Sequence, residues 1–479
     1  MTTRSKPIVL LLCCLAQFMV VLDVAIVNVA LPTIQHALHI GQDSVQWVVT
    51  AYGLMLGGFL LLGGRAGDLL GRQRTLLTGL VVFTGASVVA AIAGTAGILI
   101  AARAAQGLGA SLIPPAALAI LAVTFAEGAE RNRALGVFGA TTGISASVGV
   151  ITSGLLTAGP GWRWIFFINL PVGAGLIVLT VLYLQRDPHR RAGRQRFDAV
   201  GAVTATSALL LLVYAVSRTA THGWGSTGTI VALAASAVAF AVFVIVESRT
   251  AAPLVPATAV RNRSLIAANL AAFLLFGAIF ASIFLGSLFM QRALGYSPTG
   301  TGLAWLATTL TSFMAAATSG TKLVGLLGPK RLIAAGFTVI SIAAFLMTRL
   351  PAHPHYGTDL MPLLILFGLG GGLAAPAIQI SALTGVNPDM AGLAGGLVET
   401  MREIGGGVNV AVVATVLASR GLDLHAFHSA YWAVFAAAGL GLLITTAAFP
   451  YIRKPRDGQA RAIVRTPNSH RPAVDSTPP

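Results

Sequence analysis

The chain has little charge. Asp, Glu, Lys and Arg make up only 10% of its 479 residues, whereas 56% are hydrophobic. A soluble domain carries a larger polar share because its surface faces water, so this composition excludes a soluble globular protein. Apolar runs of about twenty residues recur along the chain, and each is long enough to cross a hydrocarbon core of about 30 Å as a helix. The composition therefore predicts an all-α polytopic membrane protein.

Cysteine is scarce as well, and the motifs of several enzyme classes are missing. The two cysteines, Cys13 and Cys14, are adjacent within an apolar run, so we interpret them as small hydrophobic residues rather than a disulfide or a metal site. The sequence has no GxxxxGK[ST] loop, which argues against ATP as the energy source. It also lacks an HExxH pair and a Ser/His/Asp set. We therefore expect no enzyme activity, no metal and no cofactor, with an ion gradient as the energy source.

What the chain does contain is a series of fourteen apolar segments. We place helices at 7–31, 45–63, 75–93, 96–122, 134–157, 162–184, 199–217, 227–246, 264–290, 299–321, 331–350, 359–384, 391–418 and 429–452. With the N-terminus in the cytoplasm, five basic residues lie on the outer side: Arg163, Arg218, Arg292, Arg349 and Arg420. Two more fall within spans, and the rest of the 31 Lys and Arg lie on the cytoplasmic side, as the positive-inside rule requires. We therefore predict a plasma (inner) membrane protein with both termini in the cytoplasm, and this topology explains the net charge of +16 without nucleic acid as a partner.

Polar segments between these helices divide the chain. The strongly basic insertion 185–198 follows the sixth helix, and a second break, 247–265, follows the eighth. We predict a six-helix bundle at 1–184, a basic cytoplasmic linker with two additional transmembrane helices at 185–263, a second six-helix bundle at 264–452 and a disordered cytoplasmic tail at 453–479.

Two stretches in corresponding places repeat one pattern. GGRAGDLLGRQR (63–74) follows the second helix, and GTKLVGLLGPKR (320–331) follows the tenth, which is the second helix of the second bundle. Each has a Gly, a basic residue, a second Gly eight positions after the first, and two further basic residues. Internal repeats of this kind are a signature of secondary transporters, whose substrate site lies between the halves.

Four motifs lie in order at the first, second, fourth and sixth helices: LDVAIVNVALPTI (22–34), GRAGDLLGRQR (64–74), ARAAQGLGAS (102–111) and WRWIFFINLPVG (162–173). Together they resemble the motifs of the major facilitator superfamily, and specifically of its 14-span drug:proton antiporter branch. The resemblance covers residues 5–455. It implies two six-helix bundles of major facilitator type plus two extra central helices, with alternating access to a central cavity.

The chain departs from the motifs of that branch at three positions. Leu69 stands where the motif after the second helix has a basic residue. Val150 and Ser153 stand where the fifth-helix antiporter motif has a proline and a glycine. Because the fifth-helix motif marks exporters, these two departures weaken the inference of export direction.

Five ionisable residues fall in the interior of the predicted spans, away from the span ends: Asp23, Arg103, Glu399, Arg402 and Glu403. Each costs roughly 2.5–3.5 kcal/mol on insertion scales, so such residues are functional candidates for proton coupling. Asp23 and Arg103 lie at nearly the same depth from the outer side. The functional hypothesis is that Asp23 exchanges protons while Arg103 tunes its proton affinity or relays the coupling. The alternative is a fixed structural ion pair, or Arg103 capping backbone carbonyl groups.

Glu399 and Glu403 are four residues apart on one helix face, and Arg402 follows Glu399 by three. Because one arginine cannot neutralise two carboxylates, we expect one of the two to bind a proton readily. Such a group can load and release a proton or attract a cationic substrate. The alternative is a network that locks the thirteenth helix to its neighbours.

The remaining candidates are glycines and polar residues. We expect a conformational gate formed by Gly64, Arg65, Asp68, Gly71, Arg72 and Arg74. In this gate, Asp68 reaches the N-terminal end of a neighbouring helix or pairs with an arginine across the loop. Substrate-cavity candidates are Gln17, Asn28, Gln106, Gln379 and Asn409. Helix-packing candidates are Gly107, Gly143, Gly149 and Gly154.

The leading functional hypothesis is a monomeric proton-coupled transporter in the lipid bilayer that exports small lipophilic, cationic drugs or antibiotics by alternating access. A second hypothesis is dedicated export of one endogenous metabolite, lipid or peptide. A membrane-embedded enzyme and a passive channel are alternatives from other classes. The missing catalytic set argues against the enzyme, and the two-half repeat argues against the channel.

Overall fold

A computed structural model of the protein describes residues 6–39, 41–184, 198–250, 253–420 and 423–449. Within these ranges every regular element is a helix. Met1–Phe449 form one compact unit. The predictions made for linker residues 185–197 and for the tail 453–479 lie outside the described residues.

Eight helices form the first part of the molecule, which we call the N-terminal half: α1 (Lys6–Ala37), α2 (Gln42–Val45), α3 (Trp47–Leu70), α4 (Arg72–Ala91), α5 (Ala96–Thr124), α6 (Ala129–Ala158), α7 (Trp164–Phe167) and α8 (Asn169–Tyr183). An inserted hairpin follows, formed by α9 (Ala199–His222) and α10 (Thr227–Arg249). Polar side chains cap several of these helices. Thr95, for example, accepts a hydrogen bond from the Ile98 amide at the start of α5.

After the short α11 (Ala257–Arg261), eight more helices form the C-terminal half: α12 (Arg263–Arg292), α13 (Pro298–Ala304), α14 (Leu306–Thr318), α15 (Val324–Leu327), α16 (Pro329–Met347), α17 (Met361–Leu383), α18 (Ala391–Arg420) and α19 (Leu424–Ala448). Two π-helical turns, Ser319–Leu323 and Tyr356–Leu360, and one 3₁₀ turn, Pro388–Met390, adjoin these helices.

The described residues do not confirm the fourteen membrane-spanning helices expected from the sequence. Twelve helices among the described residues are long and apolar enough to cross a bilayer. The predicted spans 134–157 and 299–321 are helical but do not meet this criterion. The first corresponds to α6, which is rich in Gly, Ser and Thr, and the second is divided at Trp305. The structure therefore shows a multi-pass helical membrane protein, and the count of fourteen stays a prediction.

The stretch 63–76 is not the loop that its glycines suggested. α3 continues to Leu70 and α4 begins at Arg72, so only Gly71 interrupts the helical backbone. Gly71 has a φ of 104°, which residues with a Cβ rarely adopt. Gly328, its counterpart in the repeat, has a φ of 78° and also precedes a helix. The two repeated stretches thus turn the chain in a similar way.

The two halves meet along two seams. α3 packs against α18 in one seam, and α6 packs against α14 in the other. The inserted hairpin lies on the first seam, where α9 contacts both α3 and α18. We call the end of the molecule that holds Lys6, Asp68 and Ala391 the basic end. It is the end that the sequence predicts to face the cytoplasm.

Candidate functional site

Asp23 lies at the centre of a buried polar cluster, which we call the Asp23 cluster. Asp23 on α1 is fully buried and forms an ion pair with Arg103 on α5, which is 1% exposed. Its other oxygen, Oδ1, accepts hydrogen bonds from Asn169 Nδ2 at 3.0 Å and from Gln106 Nε2 at 3.4 Å. Both oxygens of this carboxylate therefore have partners, and all of these partners belong to the N-terminal half.

Arg103 is held on several sides. Its Nη1 also donates to Gln106 Oε1 at 3.0 Å, and its Nε donates to the carbonyl oxygen of Val48 at 3.1 Å. The Tyr52 ring lies 4.2 Å from the guanidinium carbon, close enough for a cation–π contact. The ion pair and the carbonyl cap, which were alternatives at the level of sequence, are thus both present.

Three members of the Asp23 cluster were not among the residues singled out from the sequence: Ser87, Asn169 and Tyr52. Ser87 accepts hydrogen bonds from Gln106 at 2.7 Å and from Asn169 at 3.4 Å, and is itself fully buried. Asn169 begins α8 and lies within the quoted stretch WRWIFFINLPVG. A lone amide in that apolar stretch was the available signal, since a buried amide needs partners.

The second charge cluster, the Glu399 cluster, lies on a single helix, α18. Arg402 Nη1 is 2.6 Å from Glu399 Oε2, and Arg402 Nη2 is 2.8 Å from Glu403 Oε1. Glu399 is 1% exposed, yet among the described residues neither of its oxygens accepts a hydrogen bond. The side chain of Glu403 is 25% exposed. Two carboxylates thus share one guanidinium, and the more buried carboxylate is the less satisfied.

Glycines next to Glu399 show which way this side chain faces. A Cβ on Gly395 would lie 3.2 Å from Leu118 Cβ of α5, and a Cβ on Gly396 would lie 2.9 Å from the Leu60 carbonyl oxygen of α3. Glu399 follows these glycines by about one helical turn and shares their face. Arg402 extends towards its own half, with its guanidinium carbon 5.6 Å from the Phe276 ring. Glu399 therefore lies at the interface between the halves.

Asp68 joins the two halves at the basic end. Its Oδ1 accepts a hydrogen bond from the Gly392 amide at 2.9 Å, and its Oδ2 accepts one from the Leu393 amide at 2.7 Å. These amides belong to the first turn of α18, where the helix dipole and the unpaired N–H groups favour an anion. Asp68 is 1% exposed. Of the two partners considered for Asp68, the structure shows the helix N-terminus.

Gly64 allows this approach. A Cβ on residue 64 would lie 3.0 Å from Gly396 Cα and would overlap the carbonyl oxygen of Gly392. The absence of side chains at these glycines brings α3 and α18 into backbone contact, so that the short Asp68 side chain reaches the amides of α18.

The arginines of the gate motif differ from one another. Arg72 Nη2 donates to the Pro388 carbonyl oxygen, 2.5 Å away, just before α18. Arg65 Nη2 lies 3.5 Å from the Pro253 carbonyl oxygen, between α10 and α11. Arg74 is exposed. Arg72 therefore supports the contact between the halves, Arg65 contacts the chain after the hairpin, and Arg74 lies at the surface.

The five substrate-cavity candidates do not form one site. Gln106 belongs to the Asp23 cluster, and exposed Asn28 donates to the carbonyl oxygen of Val24 on its own helix. Asn409 donates to the Gly405 carbonyl oxygen at 3.0 Å. Gln17 and Gln379 are buried, and the side-chain oxygen of each lacks a hydrogen-bond partner among the described residues. These two glutamines are the candidates with free hydrogen-bonding capacity.

The packing glycines also differ. A Cβ on Gly107 would overlap the Tyr52 carbonyl oxygen, and a Cβ on Gly149 would lie 2.7 Å from Ala25 Cβ. At Gly154 it would meet nothing within 4 Å, so the packing prediction for Gly154 is wrong. The preceding residue, Ser153, faces α1 instead and donates to the Ile26 carbonyl oxygen at 2.7 Å. The surroundings of Gly143 and the side chain of Val150 lie outside the described residues.

No group of three or more His, Cys, Asp or Glu among the described residues is arranged to hold a metal ion. A helical membrane protein with buried charges on helices at the meeting of two halves has the architecture of a secondary transporter. Residues 13–409 match the family model of the Major Facilitator Superfamily, and the chain belongs to this family.

Curated relatives cover most of the chain. The cephamycin export protein CmcT of Amycolatopsis lactamdurans is 36% identical over 87% of this chain and 86% of its own length. The puromycin resistance protein pur8 of Streptomyces alboniger is 38% identical over 84% of this chain and 80% of its own length. The lincomycin resistance protein of Streptomyces lincolnensis is 33% identical over 92% and 90%. The chain is thus a transporter of the family that includes these export and resistance proteins.

Solved structures agree on the fold. The human organic anion transporter MFSD10 (TETRAN) has a TM-score of 0.68 at 14% identity, covering 92% of this chain and 99% of its own. The proton:xylose symporter XylE has a TM-score of 0.67 at 13% identity, and the match covers 94% of this chain and 97% of XylE. At such identities the likeness shows the fold alone.

Proposed function

We propose that this protein is a monomeric, proton-coupled exporter of lipophilic, cationic drugs or antibiotics that works by alternating access. It spans the plasma membrane fourteen times, with both termini in the cytoplasm and with the four regions expected from the sequence. The names of the curated relatives support antibiotic export. The fold supports a mechanism in which two halves rock about a central site.

The observation that carries proton coupling is the state of Glu399. Glu399 is buried, its one charged partner among the described residues is Arg402, and Arg402 is shared with Glu403, so the ionised carboxylate is costly. With both glutamates ionised, the cluster holds one negative charge in excess. One proton on Glu399 removes that excess and provides a hydrogen-bond donor. Glu399 is therefore our proton carrier, and Arg402 and Glu403 position it.

Asp68 is the gate in this proposal. Its two hydrogen bonds to the first turn of α18 hold the basic end closed, so the conformation described above is closed towards the cytoplasm. Glu399 lies about two helical turns beyond these amides on the same helix, or roughly 10 Å along its axis. A change of charge at Glu399 therefore acts on the helix whose end Asp68 holds.

The transport cycle follows from these positions. A proton from the outer side binds Glu399 while the basic end is closed. The neutral cluster allows the halves to separate at Asp68, and the proton leaves to the cytoplasm as a cationic substrate takes its place beside the carboxylate. The return movement releases the substrate outside. One proton enters for each monovalent cation that leaves, so charge balances.

Several relatives carry the name of one antibiotic, which favours a second candidate function, dedicated export of a single compound. Inside-out vesicles test both. We expect uptake of cationic dyes that is driven by an imposed proton gradient and abolished by a protonophore. Uptake of one antibiotic without any cationic dye would support the dedicated exporter. Uptake that ignores the protonophore would contradict proton coupling.

The gate is tested by Asp68→Asn. An asparagine has one acceptor oxygen and no charge, so it cannot satisfy both amides of α18 or complement the helix dipole, a loss of about 1–2 kcal/mol. We expect the ratio of closed to open molecules to fall by roughly tenfold, which distance measurements between spin labels on α3 and α18 report. Unchanged distance distributions together with unchanged transport would contradict the gating role.

A further inference from the structure

The inserted hairpin of α9 and α10 is not a passive addition to the two halves. α9 lies along the seam between α3 and α18, the two helices that carry the Asp68 contact. When the halves move relative to each other, α9 cannot keep both sets of contacts.

The contacts between α9 and α3 are interlocked. A Cβ on Gly58 would lie 2.7 Å from Leu210 Cγ, so the Leu210 side chain occupies a notch that exists only because residue 58 is glycine. Gly57 receives Val213 in the same way, at 3.2 Å. The rings of Trp47 and Tyr214 stack with their centroids 6.3 Å apart. Such knob-in-notch packing does not slide without steric clash.

The basic end of the hairpin is tied to α3 as well. Glu247, near the end of α10, accepts a hydrogen bond from the Val255 amide at 2.5 Å and so folds the following segment back. Arg65 of α3 reaches the Pro253 carbonyl oxygen of that segment. These contacts join the hairpin to α3 at the end opposite the Trp47–Tyr214 stack.

The contacts between α9 and α18 are lighter. A Cβ on Gly407 would lie 3.5 Å from Val216 Cγ1, an ordinary van der Waals distance with no notch. Beyond it, Trp224 Nε1 donates a hydrogen bond to Thr415 Oγ1 at 2.6 Å. One neutral hydrogen bond is a weak contact, which a conformational change can readily break.

We infer that the α9–α10 hairpin moves as one body with the N-terminal half, and that α18 separates from it during transport, with the Trp224–Thr415 hydrogen bond as the contact that breaks and re-forms. This inference rests on alternating access in the proposed function. The hairpin is then a fixed part of the N-terminal half, packed beside α3, and α18 moves relative to it.

Two matched cysteine pairs test the inference in a background with Cys13→Ala and Cys14→Ala. Gly57→Cys with Val213→Cys joins α9 to α3, and Gly407→Cys with Val216→Cys joins α9 to α18. Each pair uses one glycine and one valine of adjacent turns of α9, with side chains close enough for a disulfide. We expect oxidation of the first pair to leave at least half of the export activity. Oxidation of the second should reduce export at least tenfold, reversibly with a reductant.

Cross-linking rates give a readout that needs no transported substrate. Asp68→Asn, which opens the basic end, should leave the rate of disulfide formation in the α3 pair unchanged and lower it in the α18 pair. If export itself is absent in the unoxidised variants, the proposed function fails while these rates still test the hairpin. The reverse pattern, or equal behaviour of the two pairs, would overturn the inference.

A last variant pair isolates the hydrogen bond. Trp224→Phe and Thr415→Val each remove it while keeping most of the packing, and the double variant should equal either single one. We expect each to change the rate of disulfide formation in the α18 pair by about twofold to tenfold, which corresponds to the loss of one hydrogen bond. No change in that rate would remove the hydrogen bond from the inference.

Discussion

The Asp23 cluster and the Glu399 cluster are both buried and charged, but they are built differently. The Asp23 cluster pairs one carboxylate with one guanidinium and draws its other partners from α3, α4, α5 and α8. The Glu399 cluster has two carboxylates for one guanidinium, and all three residues lie on α18. The first cluster is neutral, and both oxygens of its carboxylate have partners. The second cluster has one carboxylate in excess, and Glu399 accepts no hydrogen bond from the residues that the structure describes.

We propose that this difference separates a structural role for Asp23 from a proton-carrying role for Glu399. A buried ion pair with every polar atom satisfied changes its protonation only if several hydrogen bonds are lost. A buried carboxylate without hydrogen bonds gains from a proton. Buried carboxylates of the same chemistry are therefore expected to have different roles, and substitutions can test this at each cluster.

Asp23→Asn should cause the largest effect, and it should be on stability. The variant leaves Arg103 charged and buried without its counter-ion, which costs about 3–5 kcal/mol. We expect a clear loss of thermal stability in detergent, measured as the temperature at which the monodisperse peak disappears in size-exclusion chromatography.

The control is the double variant Asp23→Asn with Arg103→Gln, which removes both charges. It should recover a large part of the lost stability, because no uncompensated charge remains. If Asp23→Asn is as stable as the wild type but loses proton coupling, Asp23 is the proton carrier and the comparison between the clusters is reversed.

Glu399→Gln should leave stability nearly unchanged and reduce proton-driven export at least tenfold, about 1.4 kcal/mol in the coupled step. The amide resembles the protonated acid, so the cluster is already neutral and the variant cannot release a proton. Export driven by a proton gradient is measured in proteoliposomes, and counterflow of substrate without a gradient should persist. Glu403→Gln is the matched variant and should retain more coupling, because Glu403 is partly exposed. Equal loss in both variants would make the pair, rather than Glu399, the carrier.

Substitution of Tyr52, which belongs to the Asp23 cluster, should have a smaller effect. Its ring covers Arg103, and its hydroxyl donates at 3.4 Å to the Val20 carbonyl oxygen. α3 and α18 run antiparallel with Leu60 beside Gly396, which brings Tyr52 level with the turn that holds Glu403. Tyr52→Leu should lower the free energy of unfolding by about 2 kcal/mol, because the cation–π contact is lost. Tyr52→Phe keeps the ring and should cost about 0.5 kcal/mol. Equal losses would assign the effect to the hydroxyl group.

Much of the fold could be predicted from the sequence, because apolar run length and basic flanks report membrane helices directly. The helical state of 63–70 could not. Gly63, Gly64 and Gly67 weaken a helix locally, and only contact with other helices, such as that of Gly64 with Gly392, makes a helix of close-packed glycines favourable. The same contact explains why Asp68 could be expected near a helix N-terminus, while the identity of that helix as α18 could not.

The charged residues of the candidate site could be predicted from the sequence, because charges are rare within apolar helices. Asp23 and Arg103 share a depth that helix length alone gives, and Glu399 and Arg402 share a helix. Ser87 and Asn169 carry no charge, and many serines and asparagines cap helix ends without joining a site. Their role depends on α4 and α8 packing beside α5, which is tertiary information. Which of the two acids lacks hydrogen bonds is tertiary information too.

Glu130 gives the smallest effect and separates pairing from burial. Lys6 Nζ lies 2.7 Å from Glu130 Oε1 at the basic end, a distance between those of the two Arg402 ion pairs, but the Glu130 side chain is 43% exposed. The hydrogen bond from Lys6, and then that from the Ala126 amide, hold the pKa of the Glu130 carboxyl below its usual range. The pair therefore stabilises the folded protein at pH values above the usual pKa of a glutamate. This stabilisation is lost as the pH falls through the lowered pKa. Because water and salt screen an exposed pair, Glu130→Gln should change neither thermal stability nor export measurably at neutral pH. A loss of thermal stability comparable to that of Asp23→Asn would show that pairing alone, rather than burial, determines how much a charged residue contributes to stability.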